Sequence, residues 1–143
     1  MRWINALFLY SLVNLQTAWS ADTDLKIGTL SIHAAIANTP LSRERGLMKV
    51  THLCENCGML FVFPRPEKYS FWMKDTQLPL SIAFIAADGH ILNIAEMQAN
   101  TTRTHSAQGN ALYALEMNKG WFTKHAIEPK TYVRGLQHLT QGQ

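Results

Sequence analysis

The sequence lacks an early cysteine, a long apolar run and a strong cluster of charge, and each absence excludes a class of protein. The first cysteine is Cys54, so no thiol lies near the amino terminus on which a lipoprotein anchor could be built. The apolar run from Ile4 to Val13 is far shorter than the ~20 residues of a membrane-spanning helix, so an uncleaved anchor is the weaker interpretation. The net charge is only +3, and no basic group exceeds the local pair Arg43 and Arg45, which argues against nucleic-acid binding.

Patterns of known catalytic sites are also missing. There is no Gly-x-Ser-x-Gly nucleophile elbow and no His-Glu-x-x-His zinc motif. The histidines are dispersed along the chain, at His33, His52, His90, His105, His125 and His138. An enzyme is therefore the weaker interpretation, and no cofactor is indicated.

The first twenty residues have the three parts of a cleavable signal peptide. Arg2 supplies the positive charge, the apolar run follows, and Ala18 and Ser20 are the small residues before a cut that precedes Ala21. We predict that residues 1–20 are removed. One soluble domain over residues 21–143 then remains, and it is periplasmic or secreted. A chain of that length buries roughly two thirds of its unfolded surface and needs no metal or disulfide to fold.

Short strands predominate in the rest of the chain, and two short helices are predicted. Thr39 followed by Pro40 begins the first helix, which Gly46 ends, and Asn118 caps the second helix, over residues 121–127. The Asp88-Gly89 pair between alternating apolar runs is a strong hairpin signal. The polar stretch 98–110 is predicted to be a surface loop. The predicted strands are residues 28–36, 58–63, 69–74, 80–86, 90–97, 111–117 and 131–135.

This pattern predicts a mainly β protein, a small antiparallel β-barrel or sandwich with one or two short helices. No alternation of strands with helices suggests a parallel sheet.

Several short motifs, in order, resemble the family called domain of unknown function 192. They span about residues 30–135, and the resemblance implies a compact, mostly β domain, commonly exported in bacteria, with no assigned activity. The motif residues are Arg43, Gly46-Leu47-Met48, Gly58-Met59-Leu60-Phe61, Phe63, Phe71-Trp72-Met73-Lys74, Thr76, Pro79-Leu80, Phe84, Gly89, Leu115-Glu116 and Gly120.

The chain departs from that family at two places. Members usually carry an Asp after the Pro-Leu pair, where this chain has Ser81, so a role that needed this carboxylate is in doubt. Members also usually lack the cysteines at Cys54 and Cys57, which makes this pair a local feature.

Three interpretations compete for Cys54 and Cys57. In an oxidising compartment two neighbouring thiols usually form a disulfide, and we favour this interpretation. A redox role would place the first cysteine at a helix amino terminus, whereas Cys57 runs into a strand. A metal site would need further ligands, and only His52 is close in sequence, with Met48 and Met59 favouring copper over zinc.

Two other features could form a ligand site. Alternation places Trp72 and Lys74 on one side of a strand, where they could form a platform for a sugar or another uncharged ring. The simpler interpretation, which we favour, is that Trp72 caps the core and Lys74 is solvated. Glu116 lies in an apolar strand, so it is paired with Lys74 or Arg43, or these residues converge on a small polar ligand.

We therefore predict an exported binding or accessory module for a small polar or sugar-like ligand, with Arg43, Trp72, Lys74 and Glu116 as candidate site residues. One alternative is a metal-binding or thiol-redox protein that uses Cys54 and Cys57. Another is a hydrolase of envelope polysaccharide, which would need two carboxylates; Asp75 is the candidate to accompany Glu116.

Overall fold

A curled seven-stranded sheet forms the framework of the protein in a computed structural model, which describes residues 22–139. The predicted signal peptide and the predicted cut lie outside these residues. The strands are β1 (Asp22–Ile27), β2 (Leu30–Ala37), β3 (Cys57–Glu67), β4 (Ser70–Phe71), β5 (Leu80–Ile85), β6 (Ile91–Met97), β7 (His105–Ser106), β8 (Ala111–Asn118) and β9 (Val133–Arg134). The large sheet has the order β6-β5-β8-β3-β2-β1-β9, and β4 pairs with β7 in a small second sheet.

The predicted mainly β class with two short helices is confirmed, with one addition. The strand pairs of the large sheet are antiparallel except for β2 and β3, which run parallel. Residues 38–56 make the crossover that a parallel pair requires, and they include helix α1 (Pro40–Arg45). The sequence did not indicate this pair because α1 is too short to give a helical repeat.

The first helix begins and ends where the sequence predicts. The Thr39 hydroxyl accepts a hydrogen bond from the Ser42 N–H (3.1 Å), and the Ser42 hydroxyl accepts one from the Thr39 N–H (2.9 Å). Gly46 follows the helix at a φ of 47°, and a Cβ there would lie 3.3 Å from the ring of Phe61. Glycine therefore lets the chain turn close against the sheet.

The second helix, α2 (Trp121–Lys124), is shorter than predicted and differs at its start. Gly120 occupies the N-cap position, and no side chain caps the helix. The prediction that Asn118 caps it is wrong, because the Asn118 amide donates instead to the carbonyl oxygens of Leu53 and Cys54, both at 3.1 Å. No helix within residues 22–139 is long and apolar enough to cross a bilayer.

Both faces of the large sheet are covered, so the central strands are apolar on both sides. One face, the α2 face, packs against Trp121 and Phe122 of α2. The other, the α1 face, is covered by Leu47 after α1 and by the segment around Met73. Residues alternate between the faces: Leu60, Val62, Ala83, Leu115 and Met117 belong to the α2 face, and Met59, Phe61, Phe63, Ile82, Phe84 and Ala114 to the α1 face.

Candidate functional site

An open cleft of about 600 Å³ lies on the α1 face. Its lining comes from α1 and the residues that follow it, from the second half of β3, and from the segment through β4, and it includes one residue of β8, Glu116. A volume of this size is typical of small-molecule sites, at about 300–1,000 Å³. The lining residues are Arg43, Glu44, Arg45, Gly46, Leu47, Met48, Phe61, Phe63, Pro64, Arg65, Glu67, Tyr69, Ser70, Phe71, Trp72, Thr76 and Glu116.

Glu116 is the buried ionisable residue of this cleft. On β8 it lies opposite Met59 of β3 and Ile82 of β5, both buried on the α1 face. The residue is 4% exposed, and its carboxyl group makes no hydrogen bond or ion pair with any of residues 22–139. Burial without a partner raises the pKa of Glu116 to about 8, so the carboxyl is mostly protonated at neutral pH.

The predicted ion pair of Glu116 with Lys74 or Arg43 is therefore not formed. The Arg43 guanidinium donates from Nη1 to the carbonyl oxygens of Asn38 (2.8 Å) and Val62 (3.0 Å). These bonds fasten α1 to β3, so Arg43 holds one wall of the cleft in place.

Stacked aromatic rings support the same wall. The ring of Phe63 lies parallel to that of Tyr69, with centroids 3.6 Å apart and planes 11° apart. The Arg43 guanidinium lies 5.9 Å from the centroid of Phe63, within cation–π range. The Tyr69 hydroxyl donates to the Arg65 carbonyl oxygen at 2.8 Å, which fixes the end of the stack.

Trp72 also lines the cleft and is 49% exposed. The interpretation that it caps the core is wrong, because Met73 occupies that place and is fully buried. The predicted strand 69–74 shrinks to Ser70–Phe71, and of the two residues that follow it Trp72 is exposed and Met73 is buried. A hydrogen bond from the Met73 N–H to the Thr101 carbonyl oxygen (2.9 Å) anchors this segment.

Lys74 accompanies Trp72 without lining the cleft. Its ammonium nitrogen lies 5.5 Å from the centroid of the Trp72 ring, so the two side chains form a cation–π pair at the edge of the site. The structure thus brings Arg43, Trp72 and Glu116 to one cleft and places Lys74 beside it.

Sequence reasoning missed several other residues of the cleft. Arg45, Arg65, Tyr69 and Thr76 all line it. Arg45 was noticed only as a neighbour of Arg43, and its place just before Gly46 at the end of α1 was the available signal. Arg65 lies beyond Pro64, where the sequence predicted that the strand ends; β3 instead continues to Glu67.

The cysteine pair lies away from the cleft lining. Cys54 and Cys57 form a disulfide at the start of β3, and neither is at a helix amino terminus. Their sulfurs are therefore not thiolates, and His52, the third candidate ligand, is exposed. Within residues 22–139 no group of three or more His, Cys, Asp or Glu side chains could hold a metal ion.

Neither Ser81 nor Asp75 supplies a second carboxylate beside Glu116. Ser81 follows Leu80 and precedes Ile82, which both belong to the α1 face, so its side chain points to the α2 face. An acid at this position would therefore be separated from Glu116 by the sheet. Asp75, the candidate partner in a hydrolase, is exposed and does not line the cleft.

Comparisons with known proteins agree with this architecture. The family model DUF192, described as "uncharacterized ACR", matches residues 22–135 of this sequence. A crystal structure from Sinorhizobium meliloti, described provisionally as a transcription regulator, is similar at 29% identity and a TM-score of 0.75, over 80% of this chain and 92% of that one. A protein of unknown function from Novosphingobium aromaticivorans is similar at 28% identity and a TM-score of 0.73, over 79% of this chain and 83% of that one. A search of curated proteins found no match.

Proposed function

The chain therefore belongs to the DUF192 family, and we propose that it is an exported binding module whose α1-face cleft holds a small polar or sugar-like ligand. The observation that carries the proposal is the carboxyl of Glu116, which is buried at the cleft without a protein partner. Burial of the Glu116 side chain without a protein partner disfavours its charged form, so the fold bears a free-energy cost at this position. A ligand oxygen that accepts a hydrogen bond from the protonated carboxyl would offset it.

The walls suit the same class of ligand. Trp72 offers a half-exposed ring face, and aromatic rings stack on the apolar faces of sugar rings while hydroxyl groups find polar partners. The Phe63–Tyr69 stack and the hydrogen bonds of Arg43 hold other parts of the lining in place before a ligand binds. A preformed site loses little conformational entropy on binding.

A panel of monosaccharides and disaccharides, followed by saturation-transfer difference NMR and calorimetry, tests the proposal. We expect at least one sugar to bind, and we expect Trp72→Ala and Glu116→Leu each to weaken its binding about tenfold or more, as loss of a stacking ring or a buried hydrogen bond should. Tyr132→Ala is the matched control, because Tyr132 is a 55% exposed ring outside the cleft. Failure of every sugar to bind, or binding that neither cleft variant weakens, would overturn the proposal.

The same protein allows the hydrolase alternative to be examined. Glu116 has the protonation state of a general acid at neutral pH, but a glycosidase also needs a second carboxylate beside the scissile bond. We therefore expect no new reducing ends when the protein is incubated with envelope polysaccharide. Their appearance, and their loss in Glu116→Gln, would favour the hydrolase.

Export is the second part of the proposal, and the disulfide between Cys54 and Cys57 is compatible with an oxidising compartment. Mass spectrometry of protein from the periplasmic fraction should give a chain that begins at Ala21 and carries no free thiol. A full-length chain with two reactive thiols in the cytoplasm would contradict export, and bound copper or zinc would favour the metal alternative.

A further inference from the structure

We propose that the ligand of the α1-face cleft is an acidic sugar, a hydroxylated ring that carries a carboxylate or phosphate group. The inference rests on the proposed function and narrows its ligand class. It is drawn from the distribution of charge and of unused hydrogen-bond donors around the cleft.

Positive charge is in excess at the cleft. Its lining contains the guanidinium groups of Arg43, Arg45 and Arg65, against the exposed or half-buried carboxylates of Glu44 and Glu67. Arg65 and Glu67 form an ion pair with each other, so their charges cancel. The third acidic residue of the lining, Glu116, is buried. It is mostly neutral at pH 7 because burial raises its pKa to about 8. An anionic ligand is therefore attracted and a cationic one is opposed.

Arg45 is the cation best placed to take the anionic group. Its side chain is exposed at the end of α1 and makes no hydrogen bond or ion pair with the other residues from 22 to 139. Its five N–H donors are thus available, and a guanidinium matches the two oxygens of a carboxylate or phosphate. Arg43 differs, because its Nη1 donates to the Asn38 and Val62 carbonyls.

Glu116 requires a neutral hydrogen-bond acceptor on the ligand, in addition to the anionic group that Arg45 would bind. A protonated carboxyl that is almost wholly buried donates a hydrogen bond to a neutral oxygen, such as a hydroxyl or a ring oxygen, and would repel an oxyanion once ionised. The anionic group of the ligand therefore lies toward the arginine-bearing wall, and its hydroxylated ring lies toward Glu116 and Trp72. A simple anion such as inorganic phosphate would satisfy only one of the two requirements.

Calorimetry on matched pairs of sugars tests this inference. Within each pair the second sugar carries an acidic group that the first lacks: glucose with glucuronate, galactose with galacturonate, N-acetylglucosamine with N-acetylmuramate, whose carboxylate belongs to a lactyl ether, and glucose with glucose 6-phosphate. At pH 7 and low salt we expect the acidic member of at least one pair to bind about tenfold more tightly than its neutral partner, the effect of one charge-assisted hydrogen bond. The pair that shows the preference tells whether the group is a carboxylate or a phosphate.

The variant Arg45→Gln should remove that preference, so that the acidic and the neutral sugar of the pair bind with equal affinity. Arg103→Gln is the matched control, because Arg103 is exposed and lies outside the cleft lining, so it should keep the preference. Raising the salt concentration should weaken the acidic sugar more than the neutral one.

The outcomes separate the two proposals. Equal affinity within every pair, or a preference that survives in Arg45→Gln, overturns the acidic-sugar inference and leaves the binding of sugars in the cleft intact. Tighter binding of glucosamine than of glucose also overturns it, because a cation would then be favoured. Absence of binding by every sugar overturns the proposed function itself.

Discussion

Two buried polar residues that point to opposite faces of the sheet, Ser81 and Glu116, differ in whether they have a hydrogen-bond partner. On the α2 face the hydroxyl of Ser81, which is 0% exposed, donates to Glu96 Oε2 at 2.8 Å and accepts from the Gly120 N–H at 2.8 Å. On the α1 face the carboxyl of Glu116 has no partner within residues 22–139. These residues lie on neighbouring strands, Ser81 on β5 and Glu116 on β8, and their side chains point to opposite sides of the sheet.

Satisfied polar groups hold the α2 face together. The indole N–H of Trp121 donates to Asn56 Oδ1 at 3.1 Å, and Lys124 forms an ion pair with Glu55, so α2 is tied to the disulfide loop. The α1 face gives up part of such stabilisation at Glu116 and gains a cleft with a free donor. Strongly perturbed pKa values cluster at functional sites, which supports the proposed site at Glu116.

The largest test of this contrast is the pH dependence of stability with and without Glu116. Its pKa is raised from an ordinary 4.5 to about 8 by burial, so the folded state holds a proton that the unfolded chain releases between these values. The free energy of unfolding that depends on this proton is fully present below pH 4.5. It falls by on the order of 5 kcal/mol as the pH rises through 8. Glu116→Gln cannot ionise and should lack this loss.

Urea unfolding of both proteins from pH 4.5 to pH 9 measures the difference. Every other titrating group is common to the two chains, so the difference between the curves isolates Glu116. We expect similar stabilities at the acidic end and a more stable variant at the alkaline end. Parallel curves across the whole range would show that the carboxyl is solvated or paired in solution, and the contrast between the faces would fail.

Removal of the disulfide tests whether the two faces are independent. The variant Cys54→Ala with Cys57→Ala should lose about 2 kcal/mol, the chain-entropy contribution of closing a very short loop. The loop would still be held to α2 by Asn56 and Asn118, so the fold should survive. Denaturant unfolding measures the loss, and reductant should lower the wild type to the same level without affecting the variant.

The cleft lining contains neither cysteine, so sugar binding should be unchanged in this variant. A parallel loss of binding would show that the loop on one side of the sheet shapes the cleft on the other.

The smallest effect is expected from a satisfied group. Ser81→Ala removes one acceptor of the Gly120 N–H and the donor to Glu96, although Glu96 Oε2 also lies 3.3 Å from the Gly120 nitrogen. We expect a loss of about 1 kcal/mol in the free energy of unfolding. Ser70→Ala is the control, because its exposed hydroxyl bonds only Ser106 Oγ and should contribute little. Equal effects of the two substitutions would argue that burial of the Ser81 network adds nothing.

Local signals explain which parts of the fold could be predicted from the sequence. The Asp88-Gly89 pair lies in the turn between β5 and β6 as predicted, and Gly89 has a φ of 94° that few other residues adopt. The helix start at Thr39 was equally local. The predicted strand 131–135 narrows to Val133–Arg134. β1 was missed because acidic and basic residues in Asp22–Ile27 mask its alternation, and only pairing with β2 makes it a strand.

Local signals also explain why the sequence predicts only part of the candidate site. Glu116 stands out in an apolar strand, and Trp72 stands out by its size, so both could be singled out from the sequence. Their neighbours could not, because Arg45 and Arg65 look like ordinary surface charges until α1 and the end of β3 are brought together. The absence of an ion pair at Glu116 is likewise a property of the three-dimensional arrangement.

The strand order has a consequence for how the molecule folds. β8 is late in the chain, yet it lies between β3 and β5, so the middle of the sheet closes only after residues 111–118 are available. A nascent or truncated chain that ends earlier can form the β5–β6 hairpin and the β1–β2 hairpin but has no strand to join β5 to β3. Non-local closure of this kind is slow, so exposed strand edges must be protected until synthesis is nearly complete.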